Sequence, residues 1–270
     1  MQRLLRLCYF ETLRILLRKR WLLIIPIVAV LAYASADFLN VGHFNYHIAF
    51  NVWDGMFFGL GNGKMFFFIL APLFVFFAGD IFIRDYHSDY LLFTTSRTSS
   101  KVLLWGAKVC AIFLVAFVYT VVIVLIFSLV NLFTFHYSSA FGEFVTSTNH
   151  FMQMLRAGYN TPHTSSPFLF FVYYTLYTTV GMFIYALIPV TVSLFLTNFF
   201  SPLLIAYAVS LSSFYFPFQF AKWDLGANIY YFIHLLGIPF FSTPISILCL
   251  LITGTLLFVI GALYIKRKDF

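Results

Sequence analysis

The sequence predicts an all-α, polytopic integral membrane protein that forms a single transmembrane domain over residues 1–270. Two observations predict this class. Hydrophobic residues make up 62% of the chain and charged residues only 9%, whereas a soluble domain is about 45–50% apolar and about 25% charged. Stretches without charge also recur along the chain, and a membrane-spanning helix needs about 20 such residues. A water-soluble fold is excluded because the chain has too few polar residues to form its surface.

Six apolar stretches give the predicted transmembrane helices. They cover residues 21–38, 65–83, part of 109–142, 168–198, 199–216 and 244–265. The segments 40–64 and 143–167 are predicted to be outer loops. Residues 217–243 combine Lys222 and Asp224 with a broken aromatic run, so re-entrant or external short helices are expected there. Pro189 is expected to kink the fourth span, because proline lacks a backbone donor.

The basic residues predict how these spans are oriented. Six spans place both termini on one side, together with the loop between the second and third spans. That side carries thirteen of the 16 basic residues: Arg3, Arg6, Arg14, Arg18, Lys19, Arg20, Arg84, Arg97, Lys101, Lys108, Lys266, Arg267 and Lys268. Because Lys and Arg are enriched in cytoplasmic loops, we expect a multi-pass plasma-membrane protein with both termini in the cytoplasm. The net charge of +7 is explained by this bias, and no nucleic-acid partner is expected.

Residues 1–20 are predicted to form an amphipathic helix at the inner membrane surface. At about 100° per residue, its arginines and Glu11 share one arc, and Leu5, Cys8 and Ile15 lie roughly opposite. The arginines are expected to lie in the anionic headgroup layer; they are Arg3, Arg6, Arg14 and Arg18. An ordinary basic flank to the first span is the alternative.

Isolated polar residues are interpreted as structural. His43 and His47 have the i,i+4 spacing of a metal pair, but no third ligand is near, and a solvated pair is favoured. Asp80 is interpreted as paired with Arg84 at the inner interface rather than as part of an ion path. The cysteines, which are Cys8, Cys110 and Cys249, are scattered and interpreted as buried bystanders.

Known catalytic sequence patterns are missing from the chain. It contains no GxxxxGK[ST] phosphate loop, no HExxH and no GxSxG. No catalytic residue, metal ligand or cofactor is therefore assigned, and any energy for directed work is expected to come from a partner.

The segment 84–101 is the long interior stretch in which charged residues are concentrated. It contains Asp85 and Asp89, then a short apolar turn, then Arg97 and Lys101. The turn consists of Tyr90, Leu91, Leu92 and Phe93. We expect it to dock in a groove on a soluble partner, with the basic residues forming ion pairs with acidic groups at the rim of that groove. A loop whose charges only set the topology is the alternative.

The order of these parts resembles the permease subunits of ABC-2 type transporters, the export-oriented, ABCG-like class. Those permeases have a connecting helix along the inner face, six spans, a coupling helix between the second and third spans, and re-entrant helices before the sixth. Asp85 takes the place of the family's acidic residue, residues 91–93 that of its apolar run, and Ser100-Lys101 that of its Ser-Arg pair. The Gly-Lys that opens the third span is matched by Gly106 and Lys108.

The sequence departs from the family pattern in three places. Asp89 stands where glycine is usual, Thr98 where proline is usual, and Ala107 separates the Gly-Lys pair. The resemblance implies a transport subunit that is not itself an enzyme. The resemblance also implies a separate ATP-binding cassette subunit, which would hold ATP and Mg and dock on residues 84–101. A second permease chain, identical or paralogous, would complete the pathway, and membrane lipids would surround both chains.

The aromatic content indicates the class of substrate. With 38 Phe and 17 Tyr, a pathway through this protein suits an exported amphipathic or hydrophobic substrate such as a peptide, drug or lipid-like molecule. Phenylalanines that merely face lipid are the alternative. Two other functions stay open, an intramembrane enzyme acting on lipid and a non-transporting immunity or structural membrane protein.

Overall fold

The computed structural model describes residues 2–46, 50–61, 65–87, 100–146, 166–196, 200–220 and 244–267. Over these residues the chain is helical and contains no β-strand, so the predicted all-α class is confirmed there. In the part of the chain that the structure describes, three helices are long and apolar enough to cross a membrane, which supports a membrane protein. They are Lys19–Asn40, Lys101–Thr134 and Pro167–Val192. The count of six spans stays a prediction.

The helices follow one another with two irregular turns between them. The first half of the described chain contains α1 (Gln2–Leu16), a 3₁₀ turn (Lys19–Leu23), α2 (Ile24–Tyr46), α3 (Val52–Leu60), a π-helical turn (Phe66–Leu70), α4 (Ala71–Ala78) and α5 (Ile81–His87). The second half contains α6 (Lys101–Thr134), α7 (Glu143–Thr146), α8 (Pro167–Val192), α9 (Ser201–Phe220) and α10 (Pro244–Arg267).

Helix α6 is the element around which the others pack. It contacts α1, α2, α3, α8 and α10. Its 34 residues extend about 51 Å at 1.5 Å per residue, which exceeds the hydrocarbon thickness of about 30 Å. The helix fills only part of the run 109–142, as predicted, since it ends at Thr134. It continues that far because the run up to Thr134 contains no proline or glycine after Gly106 and because α3 packs against its C-terminal half.

The segment 40–64, predicted to be an outer loop, contains the end of α2 and helix α3. The side of the membrane on which it lies stays a prediction. Asn51 and Asp54 start the helix with a capping box, in which each side chain accepts a hydrogen bond from the other residue's backbone N–H. Gly55 and Gly59 lie so close to side chains of α6 that a Cβ atom at either position would collide with them. These glycines therefore permit close packing of α3 on α6.

After α3 the chain runs antiparallel to α6 toward its N-terminus. The Tyr119 hydroxyl donates to the Leu70 carbonyl oxygen at 2.7 Å, and the rings of Phe82 and Trp105 lie 5.1 Å apart. The predicted second span, 65–83, is thus a π-helical turn followed by two short helices rather than one regular helix. Pro72, which lacks a backbone N–H, lies in the first turn of α4.

The ends of the later helices differ modestly from the prediction. Helix α8 ends at Val192, three residues after Pro189, whereas the predicted span continued to residue 198. Helix α9 continues through Pro217 to Phe220, so the predicted re-entrant segment cannot begin at residue 217. Residues 221–243, which form the rest of that segment, lie outside the described residues.

Candidate functional site

A cluster of buried charged side chains lies where α1 and the 3₁₀ turn meet α5 and the N-terminal end of α6, on the side that the sequence predicts to face the cytoplasm. We call it the inner charge cluster; its members are Glu11, Arg14, Arg18, Arg20, Asp80, Asp85 and Lys108. None of its side chains is more than 23% exposed. Burial of so many charges is costly unless they are paired, so the pairing pattern shows how the cluster holds the helices together.

The first half of the cluster is a quartet in which the formal charges cancel. Arg14 and Lys108 each bond a different oxygen of the Asp85 carboxylate. Glu11 Oε2 lies 3.4 Å from Arg14 Nη1 and 3.6 Å from Lys108 Nζ. The side chains of Glu11, Asp85 and Lys108 are fully buried. The quartet therefore joins α1 to α5 and α6 through ion pairs that water does not screen.

The second half of the cluster is centred on Asp80, in the turn between α4 and α5. Arg18 Nη1 and Arg20 Nη2 donate to the same Asp80 oxygen at 2.5 Å and 2.6 Å. Arg20 also donates to the Phe77 carbonyl oxygen at 2.6 Å. The predicted Asp80–Arg84 ion pair is wrong, because Asp80 pairs with these two arginines from the 3₁₀ turn region while the Arg84 side chain is exposed.

The local sequence explains why the two arginines reach Asp80. Helix α1 ends at Leu16, and Arg18 then adopts an extended backbone before the 3₁₀ turn. Trp21 anchors this turn, since its ring lies 5.3 Å from that of Phe77 and 6.1 Å from that of Tyr119. The chain is thereby held against the end of α4, and the arginine side chains extend along it to the Asp80 carboxylate.

The four arginines of the predicted interfacial helix divide into two pairs. Arg3 and Arg6 are exposed, as a headgroup contact requires. Arg14 and Arg18 instead bond carboxylates of the protein. Arg14 lies on α1 beside the inward-packing face that contains Glu11. Arg18 lies after the end of the helix, where the extended backbone brings it to Asp80.

Two of the cysteines lie side by side. The thiol of Cys8 on α1 is buried and neighbours that of Cys110 on α6, and burial, followed by the presence of Cys110, raises the pKa of the Cys8 thiol. Cys110 is exposed, so the interpretation of all three cysteines as buried bystanders is wrong at this position. Nothing is described of the Cys249 side chain.

The predicted coupling residues are only partly described. Asp89, Tyr90, Leu91, Leu92, Phe93 and Arg97 lie outside the described residues, and so do the side chains of His43 and His47. Asp85 is fully buried in the quartet. Lys101 is the first residue of α6 and is half-buried. The structure thus places the two ends of the segment, but not its apolar turn.

Sequence reasoning missed Glu11, Arg20 and Lys108 as members of the site. Lys108 carried the clearest signal, since an isolated lysine that opens a long apolar helix needs a buried partner. Among the described residues, no group of His, Cys, Asp and Glu side chains is arranged to hold a metal ion. The cluster therefore acts through its ion pairs, which hold the helices together.

Comparison with models of known protein families and with curated protein sequences finds no match to this chain. The function is therefore inferred from the residues and geometry of the chain itself.

Proposed function

We propose that the protein is the transmembrane permease subunit of an ATP-driven exporter of the ABC-2 type. A separate ATP-binding cassette subunit docks on the segment 84–101, and a second permease chain completes the pathway. The observation that supports this proposal best is the quartet of the inner charge cluster, because it ties both sides of that segment to α1.

The segment is connected to the helix bundle at both of its ends. Asp85 lies in α5 at the start of the segment. Lys108 lies in α6, seven residues after Lys101, where the segment ends. Asp85 bonds Arg14 of α1, and Lys108 contacts Glu11 of α1. Because breaking a buried ion pair costs about 3–5 kcal/mol, a force applied to the segment moves α1, α5 and α6 together. A loop whose charges only set the topology has no need of such connections.

Helix α6 passes this movement on to the rest of the described bundle. It is in contact with α2, α3, α8 and α10, so a displacement at its inner end reaches helices on several sides. Packed helices of this kind respond by sliding or rotating as rigid elements. In the proposed cycle, ATP-driven closure of the partner subunits pushes the segment 84–101, and the helices of two facing permeases open the pathway outward.

The proposed substrate is an amphipathic or hydrophobic molecule such as a membrane-active peptide, drug or lipid. This choice is supported by the aromatic composition of the chain, with 38 Phe and 17 Tyr, and by how few ionisable groups its apolar stretches contain. A pathway with few charges attracts inorganic ions poorly, whereas aromatic side chains offer large apolar contact areas.

The test is co-purification of the chain with an ATP-hydrolysing subunit, followed by transport in proteoliposomes. We expect the isolated chain to hydrolyse no ATP and the complex to move a labelled amphipathic peptide only when ATP is supplied. ATP hydrolysis by the isolated chain, or transport of inorganic ions alone, would contradict the proposal. The absence of any ATP-hydrolysing partner would favour an immunity or structural protein instead.

A paired substitution tests the mechanical role of the quartet separately. Asp85→Asn with Lys108→Met keeps the quartet electrically neutral but removes the bonds that join α1 to both ends of the segment. We expect the complex to assemble and hydrolyse ATP while the amount of peptide transported per ATP falls severalfold. Arg6→Gln, on the exposed surface of α1, is the matched control. Unchanged coupling in the paired variant would show that the quartet does not transmit the movement.

A further inference from the structure

The Asp80 half of the inner charge cluster carries an excess of positive charge. Arg18 and Arg20 share one oxygen of Asp80, and the neighbouring quartet is already neutral. Burial lowers the pKa of Arg18, and the nearby charges of Arg20 and Arg84 lower it further, although Asp80 opposes them. The exposed Lys19 lies between the two arginines in sequence. One carboxylate thus faces several cations, which is the electrostatic setting that attracts an anion.

Several hydrogen-bond donors at this position have no acceptor among the described residues. They are the Nε and Nη2 atoms of Arg18, the Nε atom of Arg20 and the indole Nε1 atom of Trp21, all of them buried. The Arg18 side chain is only 8% exposed. Buried donors are nearly always satisfied in folded proteins, so these groups point to a ligand with several acceptor oxygens. Phosphate is such a ligand, and arginine binds it through paired hydrogen bonds.

The surface beside these donors is apolar and faces outward. The Arg20 guanidinium lies 5.5 Å from the centre of the Phe76 ring. Phe76 is 39% exposed, and Leu22 and Leu23, which follow the arginines, are 70% and 50% exposed. Arg20 itself is 18% exposed and is accessible from this side. A ligand that suits the position therefore has an anionic head and an apolar body.

We infer that Arg18, Arg20 and the neighbouring Arg84 bind the phosphate group of an anionic membrane phospholipid, whose acyl chains lie along Leu22, Leu23 and Phe76. The phosphate accepts hydrogen bonds from Arg20, the more accessible arginine, and balances the excess charge around Asp80. A bound lipid of this kind holds the 3₁₀ turn against the end of α4. The inference does not depend on the exporter function, since it concerns only the surface of this chain.

The probe is phosphatidylglycerol brominated on its acyl chains, compared with phosphatidylcholine brominated in the same way. Bromine quenches tryptophan fluorescence at short range, and Trp21 lies at the proposed site. With the full chain in detergent, we expect the anionic lipid to quench at about tenfold lower concentration than the zwitterionic one, a difference of about 1.4 kcal/mol. Both lipids carry a phosphate, but the choline ammonium of phosphatidylcholine cancels its charge and is repelled by the arginines. The difference should disappear in Trp21→Phe, which removes the reporter.

Two arginine substitutions locate the site. Arg20→Gln should abolish most of the preference for phosphatidylglycerol, and Arg84→Gln should reduce it without disturbing the fold, because that side chain is exposed. Arg267→Gln, which changes an exposed arginine at the C-terminal end of α10, should leave the preference unchanged. Equal quenching by the two lipids, or an unchanged preference in both site variants, would overturn the inference.

Inorganic phosphate separates the two possible sources of the phosphate group. If inorganic phosphate displaces brominated phosphatidylglycerol as effectively as unbrominated phosphatidylglycerol does, the acyl chains add nothing to binding and the assignment to a lipid is overturned. If it does not, the acyl chains contribute to binding as proposed. Lipid binding without ATP-driven transport would remove the proposed function and leave this inference standing.

Discussion

Replacing Asp85 with asparagine tests the quartet most directly. The substitution keeps the size of the side chain but removes the negative charge that Arg14 and Lys108 share. The variant then buries two cations against the single carboxylate of Glu11. Because the side chains of Glu11, Asp85 and Lys108 are fully buried, we expect a large loss in the free energy of unfolding.

The magnitude follows from the geometry of the four charges. Each close pair is worth about 4 kcal/mol near 4 Å at an effective dielectric constant of about 20. Asp85→Asn removes two attractions, to Arg14 and Lys108, and one repulsion, from Glu11. The net loss of electrostatic free energy is therefore that of one ion pair, about 4 kcal/mol. This agrees with the loss of about 3–5 kcal/mol that is typical when a buried ion pair is broken.

The assay is a double-mutant cycle with Lys108→Met. Unfolding is followed by intrinsic fluorescence in mixed micelles as denaturant is added. Each single variant should lose about 3–5 kcal/mol, because each leaves an unpaired buried charge. The double variant restores neutrality, so its loss should be no larger than that of either single variant.

Additive losses would refute this reasoning. If the double variant loses the sum of the two single losses, then Asp85 and Lys108 do not interact, and the quartet is not what joins α5 and α6 to α1. Arg3→Gln is the matched control for a charge change on α1. Its side chain is exposed, so we expect a change within about 0.5 kcal/mol.

Two further predictions concern contacts of α6. Mild oxidation with copper phenanthroline should join Cys8 to Cys110 by a disulfide, which a linked proteolytic peptide would show by mass spectrometry. The reaction should be faster at pH 9 than at pH 7, because the thiolate is the reactive form and burial raises the pKa of Cys8. Failure to crosslink would contradict the contact of α1 with α6. Gly261→Ala should lower the free energy of unfolding by about 1–3 kcal/mol, since its Cβ would lie 2.2 Å from the buried Trp105 ring. Gly106→Ala is its control, with only an ordinary contact at 3.8 Å, and equal losses in the two variants would argue against the packing of α10 on α6.

The helical class could be predicted because it depends on properties that are local in sequence. A chain that is 62% hydrophobic and 9% charged has to satisfy its backbone hydrogen bonds internally once it leaves water, and helices do this within one segment. The amphipathic character of residues 1–20 was readable for the same reason, since it depends only on the angle between successive side chains.

Which charged residues form ion pairs with each other could not be predicted from local sequence. Arg84 is four residues from Asp80, and the sequence therefore favoured that pair, but Arg18 and Arg20 reach Asp80 from about 60 residues away. Glu11 and Lys108 gave no local sign that they would meet. Which charges pair depends on the approach of α1 to α5 and α6, and only the packing of the whole bundle determines that approach.

Sequence alone was sufficient for the membrane-like composition and the helical class, because composition acts on each segment independently. The excess of basic residues on one side depends on the number of spans and stays a prediction. The tertiary structure decided that α3 packs against α6, that Asp85 is buried rather than exposed, and that two cysteines become neighbours. Each of these depends on the distance between segments far apart in the chain. In the interior, desolvation makes the cost of an unpaired charge large enough to select one arrangement.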